Sequence, residues 1–398
     1  MENLAAQPLI SEDSNVSAMQ SKSYSFLFLL LGNGSLLAFN LIINAIDIYA
    51  SLTKKDDIGA ILNRFYNIPC SLMSLLIIFL DPRNLKYCIS IALLAITVIL
   101  SFLPIFLLVE MSENAVYWGT MTLVMLTGIF SALLFSSGFN LAAQVNPEKS
   151  TAAFSSGNGC CGVLAAILRI ITKAVLNKES QLKISGTFYF LLAALIMILT
   201  FVYFLYMLKK ETDISSKANP PPQPKTSFFG PQSLATIKVI WVLWSSVFLN
   251  FLITLTIFPG YVSRTKSTPA GTWTSVIVTA TFCVFDWVGR ALPSKFIFPT
   301  ARYAWIPIFA RLLFFLIFII SLQNVINLGE PWWTFIWMCP FALTNGYSGT
   351  VAMIHGSGHP NLVTEDMKRT AGFLMPFAVN AGILVAMGMT YAMPDPKV

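Results

Sequence analysis

The chain has 398 residues, of which 56% are apolar and only 11% charged, against roughly 25% charged in soluble domains. That excludes an ordinary soluble enzyme and leaves too little polar surface for a nucleic-acid-binding protein. The net charge of +7 is instead what basic loops between membrane spans produce.

Residues 1–22 are polar and Ser-rich, with Glu2, Glu12 and Asp13. They lack the basic start and small-residue cleavage site of a signal peptide, and a disordered cytoplasmic tail is expected. Eleven apolar stretches follow, near 24–46, 57–80, 85–109, 115–145, 151–176, 185–208, 235–258, 272–299, 302–322, 331–354 and 369–393. Each approaches or exceeds the roughly 20 residues that a spanning helix needs. The one long polar interruption, 209–234, includes Pro220-Pro221-Pro222-Gln223-Pro224. It is expected to be a cytoplasmic linker between a six-helix bundle over 23–208 and a five-helix bundle over 235–398. Two helical halves suit a transporter built from related bundles, although no repeat is legible in the residues themselves.

Lys and Arg counts outside the spans set orientation. With the N-terminus inside, the cytoplasmic segments carry Lys22, Arg83, Lys86, Lys149, Lys209, Lys210, Lys217, Lys225, Lys295, Arg302, Lys368 and Arg369. The other side carries Lys54, Lys55, Lys173, Lys178, Lys183, Arg264, Lys266 and Lys397. Twelve against eight favours a cytoplasmic N-terminus, and an odd number of spans then leaves the C-terminus outside.

Polar residues inside the spans are the candidate chemistry. Phe285-Asp286-Trp287-Val288-Gly289-Arg290 places an acid and a base in an apolar helix, where a charge costs at least about 2.5–3.5 kcal/mol and so faces a bundle interior. Their spacing of four lets each offset the other, and Thr279 and Cys283 continue the same stripe. The first span carries Asn33, Asn40, Asn44 and Asp47 on one face; amides offer donors and acceptors that suit a nucleobase or a sugar. Weaker polar stripes are Asn63, Asn67, Ser71 and Ser74 in the second span, and Ser136, Asn140 and Gln144 in the fourth. Asn158, Gly162 and Arg169 share a face of the fifth. Arg169 and Arg311 read as snorkelling or structurally paired residues without a transport role.

His355 and His359 have metal-like spacing, yet Gly356 and Gly358 separate them and no cysteine completes a ligand set. A loop after the tenth span is expected there. The six cysteines follow neither a disulfide framework nor a zinc spacing. Without a nucleotide-binding loop or nucleophile motif, neither an ATP-driven pump nor an enzyme is expected, and no cofactor or metal.

Several segments together resemble the equilibrative nucleoside transporter family. Gly32-Asn33-Gly34-Ser35-Leu36-Leu37-Ala38-Phe39-Asn40 resembles the family's first-helix pattern, and Ser156-Gly157-Asn158-Gly159 its fifth-helix one. Phe285 to Arg290 resembles the eighth-helix signature. Ala310-Arg311-Leu312, Phe341 to Tyr347 and Thr370-Ala371-Gly372 follow in order. The resemblance implies an all-α polytopic membrane protein of 11 transmembrane helices in a 6+5 arrangement similar to the major facilitator superfamily. It implies alternating access, with Asp286 accepting from the ribose hydroxyls and Arg290 donating to sugar oxygens. Leu36, Phe39, Asn40 and Ile43 match positions lining the base pocket. Phe39 stands where the family usually has Trp, and Ala38 where it has Pro, so base stacking is altered. Ser136 aligns with a position where some members present Gln, which leaves base recognition to Asn140, Gln144 or a water.

The expected function is transport of nucleosides, purine ones first and nucleobases in addition, by facilitated diffusion across the plasma membrane. Proton-coupled uptake and a facilitator-type sugar or drug carrier remain as alternatives. The implied partners are a small-molecule substrate and the lipid bilayer.

Overall fold

The computed structural model describes residues 7–53, 58–175, 182–221, 230–262, 274–323, 325 and 332–397, and among them no strand occurs. The principal helices are α1 (Gln7–Asn44), α2 (Ile46–Thr53), α3 (Ile58–Leu80), α4 (Leu85–Phe102), α5 (Ile105–Leu108), α6 (Glu113–Val145), α7 (Lys149–Val175) and α8 (Leu182–Lys210). They continue with α9 (Thr212–Ala218), α10 (Pro231–Leu255), α11 (Thr274–Ala291), α12 (Trp305–Ala310), α13 (Leu313–Leu322), α14 (Trp332–Ser357) and α15 (Glu365–Ala392).

Local chemistry accounts for several boundaries. Asn84, Ser112 and Thr364 cap α4, α6 and α15, each side chain accepting from a backbone N–H three residues on. Glu365 and Asp366 add negative charge to the first turn of α15, where the helix dipole favours it. Pro69, Pro340 and Pro376 lie inside α3, α14 and α15, which membrane bundles tolerate when neighbours satisfy the freed carbonyls.

Setting aside the short helices α2, α5 and α9, the packing repeats along the chain. In the N-terminal part α1 runs along α7 and α3 packs on α6; in the C-terminal part α10 runs along α15 and α11 packs on α14. Counting α12 and α13 together as one interrupted helix, first pairs with fifth and second with fourth in both parts. Contacts of α7 with α11, and of α15 with α3 and α6, join the two. Close crossings depend on glycine: a side chain at Gly32 would strike the Phe154 carbonyl, and one at Gly157 the Leu29 carbonyl. Small residues let membrane helices approach this way.

Four expectations differ from the structure. Residues 7–22, expected to be disordered, continue α1, and their one proline, Pro8, sits in the first turn where it fits. The 209–234 linker contains α9, whose Ile214 and Ala218 are buried; residues 222–229 lie outside the described part. The eighth span stops at Ala291, followed by a short turn at Leu292–Ser294 that contains Pro293. The ninth is broken between α12 and α13, at Arg311 and Leu312.

Among the described residues nine helices are long and apolar enough to cross a membrane. The two expected spans outside that number are α11 and α14. They carry Asp286, Arg290, Asn345 and His355, and both begin next to residues outside the described part.

Candidate functional site

Asp286 and Arg290 lie one turn apart on α11 and are bonded, Arg290 Nε donating to Asp286 Oδ2 at 2.7 Å. Asp286 is 6% exposed. Its other oxygen accepts from Asn345 Nδ2 of α14 at 2.6 Å. Both donors complement an ionised carboxylate, and with two of roughly four lone-pair positions taken it can accept further hydroxyls. No described residue takes a hydrogen bond from the terminal nitrogens of Arg290, whose guanidinium lies 5.7 Å from the centre of the Phe251 ring.

What brings Asn345 to Asp286 is the crossing of α11 and α14. A methyl on Gly289 would strike the Leu343 carbonyl, and one on Gly346 the Asp286 carbonyl. Behind this crossing the network continues. Asn345 Oδ1 accepts from Asn250 Nδ2 at 2.9 Å and Thr254 Oγ1 at 2.7 Å, both on α10. Arg311, 1% exposed, donates to the Asn250 backbone and side-chain oxygens, to Thr254 Oγ1 at 2.8 Å and to the Phe341 carbonyl at 3.3 Å. Its guanidinium sits 5.1 Å from the centre of the Phe341 ring. A full cation is thus held by neutral oxygens and an aromatic face. The helix break at Arg311 positions it there.

A cavity of ≈ 60 Å³ lies beside Arg290. Both parts of the chain line it: Leu36, Tyr66, Cys70, Ser131, Phe135 and Asn158 from one, Phe251, Arg290, Met353, Val379, Asn380 and Ile383 from the other. Of the expected site residues, Leu36 and Arg290 line it directly. Phe39 is a neighbour through Tyr66, their rings stacked with centroids 4.2 Å apart. Asn40 Nδ2 donates to the Leu36 carbonyl at 3.0 Å and to Cys161 Sγ at 3.2 Å, and Cys283 lies beside Gly162 close to it. Ile43 and Thr279 are half-buried and outside the lining.

The three fourth-span residues lie outside this lining. Ser136 is buried but does not line the cavity. Asn140 donates to the Arg369 carbonyl at 3.1 Å and accepts from Gln144 at 2.7 Å, so both belong to the contact between α6 and α15. The α6 residues that line the cavity are Ser131 and Phe135. Five residues turn a helix by roughly 140° beyond a full circle, so Ser131 and Ser136 face different ways.

Other polar stripes divide similarly. Asn44 bonds to the Asn40 carbonyl at 2.7 Å, Asn158 Oδ1 accepts from Ser35 at 2.8 Å, and the Asp47 side chain lies outside the described part. Asn380 of α15 donates to Ser74 Oγ at 2.5 Å, and its carbonyl accepts from Ser71 at 3.1 Å. The second-span stripe is therefore a seam between the two parts. Neither Arg169 nor Arg311 snorkels; they are 7% and 1% exposed. Sequence reasoning missed Ser131 and Asn380 because each is one polar residue among apolar ones, passed over Tyr66 beside the Asn63–Asn67 stripe, and gave Asn345, Asn250 and Arg311 no role.

His355 ends up within α14 rather than in a loop, with Nε2 2.9 Å from the Pro299 carbonyl. His359 lies beyond the helix, its Nδ1 accepting from Asn361 N at 3.2 Å. Burial, with His355 adding to it, pushes the His359 imidazole below its ordinary pKa. Among the described residues no group of three or more metal-ligating side chains is found, and all six cysteines are free.

At one end of the bundle, ion pairs tie the parts together. Arg369 of α15 grips Asp81 with two bonds of 2.9 Å and reaches Asp366 at 2.9 Å, with Arg83 3.8 Å from Asp366. Asp81 follows α3 directly, in a left-handed conformation (φ 42°).

A family model described as "Nucleoside transporter" matches residues 121–221 and 209–393. Among curated relatives, "Equilibrative nucleotide transporter 1" of Arabidopsis thaliana is 28% identical, over 91% of this chain and 85% of that protein. "Equilibrative nucleoside transporter 1" of Homo sapiens is 28% identical, over 86% of this chain and 84% of that one. Among solved structures, the major facilitator superfamily proton:xylose symporter XylE aligns with TM-score 0.56 at 11% identity, covering 93% of this chain and 87% of that one. The human organic anion transporter MFSD10 aligns with TM-score 0.54 at 13% identity, covering 94% of each. These structures share the fold. With its family model and its membrane-spanning helices, the chain is an integral membrane transporter, not an enzyme, and belongs to the nucleoside transporter family.

Proposed function

We propose that this protein moves nucleosides, purine nucleosides first, across a membrane by facilitated diffusion and alternating access. The observation that carries the reading is the bonded Asp286–Arg290 pair beside a cavity lined by both parts of the chain. Asp286 offers acceptor positions to two ribose hydroxyls, and the unoccupied Arg290 nitrogens donate to sugar oxygens. Phe39 and Tyr66 supply the apolar aromatic wall for a base, with Ser131 as its nearby hydroxyl. Eleven spans in halves of six and five, with a cytoplasmic N-terminus, complete the reading. The repeated pairing of first with fifth and second with fourth helix supports that division.

Alternating access needs contacts that hold one end closed and then break. The Arg369–Asp81–Asp366–Arg83 cluster, joining α15 to the end of α3, fits this role. Substrate shifts the population only through its different affinity for the two states.

The test is saturable uptake of labelled adenosine into liposomes holding the purified protein, with unlabelled uridine, hypoxanthine and glucose as competitors. Competition by nucleosides but not glucose is expected, with rates independent of an imposed proton gradient. Uptake blocked by glucose, or driven uphill by the gradient, would replace this reading with the sugar-carrier or proton-coupled alternative.

A further inference from the structure

The helices α4 and α8 pack against each other, and α9, which follows α8 directly, packs on both. Asn84 Nδ2, just before α4, donates at 2.7 Å to Asn219 Oδ1, just after α9, which places the start of α4 at the rim where α8 gives way to α9. Each helix presents an exposed apolar stripe along its outer face: Ile91, Leu94 and Val98 on α4, and Leu195, Leu199 and Val202 on α8. In a membrane protein lipid chains cover such a face. Both stripes end at the same rim in an exposed tyrosine with a lysine over its ring. Lys86 lies 5.9 Å from the centre of Tyr87, and Lys210 lies 5.6 Å from that of Tyr206. Lys209 adds a third, exposed cation.

The neighbouring acids Glu211 and Asp213 offset only part of the charge of the three lysines. Glu211 turns to α1, where Gln20 and Tyr24 donate to it at 2.8 and 3.1 Å, which leaves Asp213 of α9 as the exposed carboxylate nearby. Among the described residues neither Lys86 nor Lys210 has a carboxylate within bonding distance. The opposite end of the same surface carries exposed Glu110. Tyrosine belts sit at headgroup depth, and basic residues there attract anionic headgroups.

The geometry points to a binding site for an anionic glycerophospholipid on this surface. Its acyl chains lie along the α4 and α8 stripes, and its phosphate meets Lys86 and Lys210. The site is separate from the cavity and does not depend on which solute the carrier moves.

The experiment titrates the full-length protein, in neutral detergent, with dioleoyl-phosphatidylglycerol or dioleoyl-phosphatidylcholine and follows the thermal midpoint. Phosphatidylglycerol is expected to raise it at far lower concentration than phosphatidylcholine. Combining Lys86→Gln with Lys210→Gln should weaken the response by roughly tenfold or more, given the usual gain per basic residue at a membrane surface. Lys183→Gln, at the other end of α8, should leave it unchanged. The Lys86→Arg and Lys210→Arg pair, which keeps both charges, should respond as the unmodified protein does, separating charge loss from misfolding. Equal effects of the two lipids would overturn the proposal. So would an unaltered response in the double Gln variant, or the same effect from glycerol phosphate lacking acyl chains.

Discussion

On the wall built by α10, α11 and α14, Asp286, Arg290, Asn345, Asn250, Thr254 and Arg311 form one connected hydrogen-bonded network. On the facing wall of α3 and α6 the Tyr66 hydroxyl and Ser131 Oγ face each other without a well-formed bond among the described residues. Charges buried in a membrane must be paired or solvated by fixed dipoles; a lone hydroxyl costs far less to leave unmatched. The charged wall is therefore committed to one geometry, and the hydroxyl wall retains freedom; under the proposed function the first would meet the sugar and the second the base.

Four substitutions probe this division, and the first should have the largest effect. Asp286→Asn keeps the shape but leaves Arg290 without its counter-charge, a loss of about 3–5 kcal/mol for a broken buried pair. Nucleoside uptake should fall by roughly 100-fold or more at undiminished membrane abundance, measured by surface labelling beside uptake; normal uptake would remove Asp286 from the site. Gly346→Ala comes next. The added methyl meets the Asp286 carbonyl and the Arg290 backbone N–H, so α11 and α14 must part, at about 1–3 kcal/mol for overpacking. A lowered thermal midpoint together with lost uptake is expected.

Arg311→Met separates positioning from contact. It removes five hydrogen bonds to α10 and α14 and leaves acceptors unsatisfied at about 1–3 kcal/mol each before relaxation. Stability should drop clearly, while uptake per folded molecule falls less than in Asp286→Asn. Equal losses would make Arg311 part of the contact surface instead. The smallest effect concerns the other wall. Ser131→Ala should change the ranking of base competitors by roughly 2- to 10-fold, the scale of one hydrogen bond, with little change in total uptake. Ser136→Ala should do nothing; the reverse outcome would restore the alignment-based assignment.

The charged half of this arrangement is largely legible in the sequence, and the hydroxyl half is not. An acid and a base four residues apart in an apolar helix have few physical alternatives to facing inward together, and the structure bonds them at 2.7 Å. Asn345 lies 55 residues beyond Arg290 (345 − 290 = 55), and only the glycine crossing brings it to Asp286. Serine carries almost no directional signal, because it is equally at home facing a cavity, a neighbouring helix or its own backbone. Ser131 and Ser136 differ by one helical face, and only Ser131 lines the cavity, a difference that composition cannot detect.

By itself the sequence determined that the chain is helical and membrane-embedded, because apolar runs of that length leave the backbone no other way to satisfy its hydrogen bonds. It also determined that Asp286 and Arg290 form the charged centre. Tertiary structure alone decided which helices pair and how the first-with-fifth, second-with-fourth arrangement recurs with no visible repeat in the residues. It alone placed Arg311 at a helix break behind the site rather than at a lipid headgroup. Those choices depend on where glycines allow two backbones to meet, and that is settled by the partner helix as much as by the glycine.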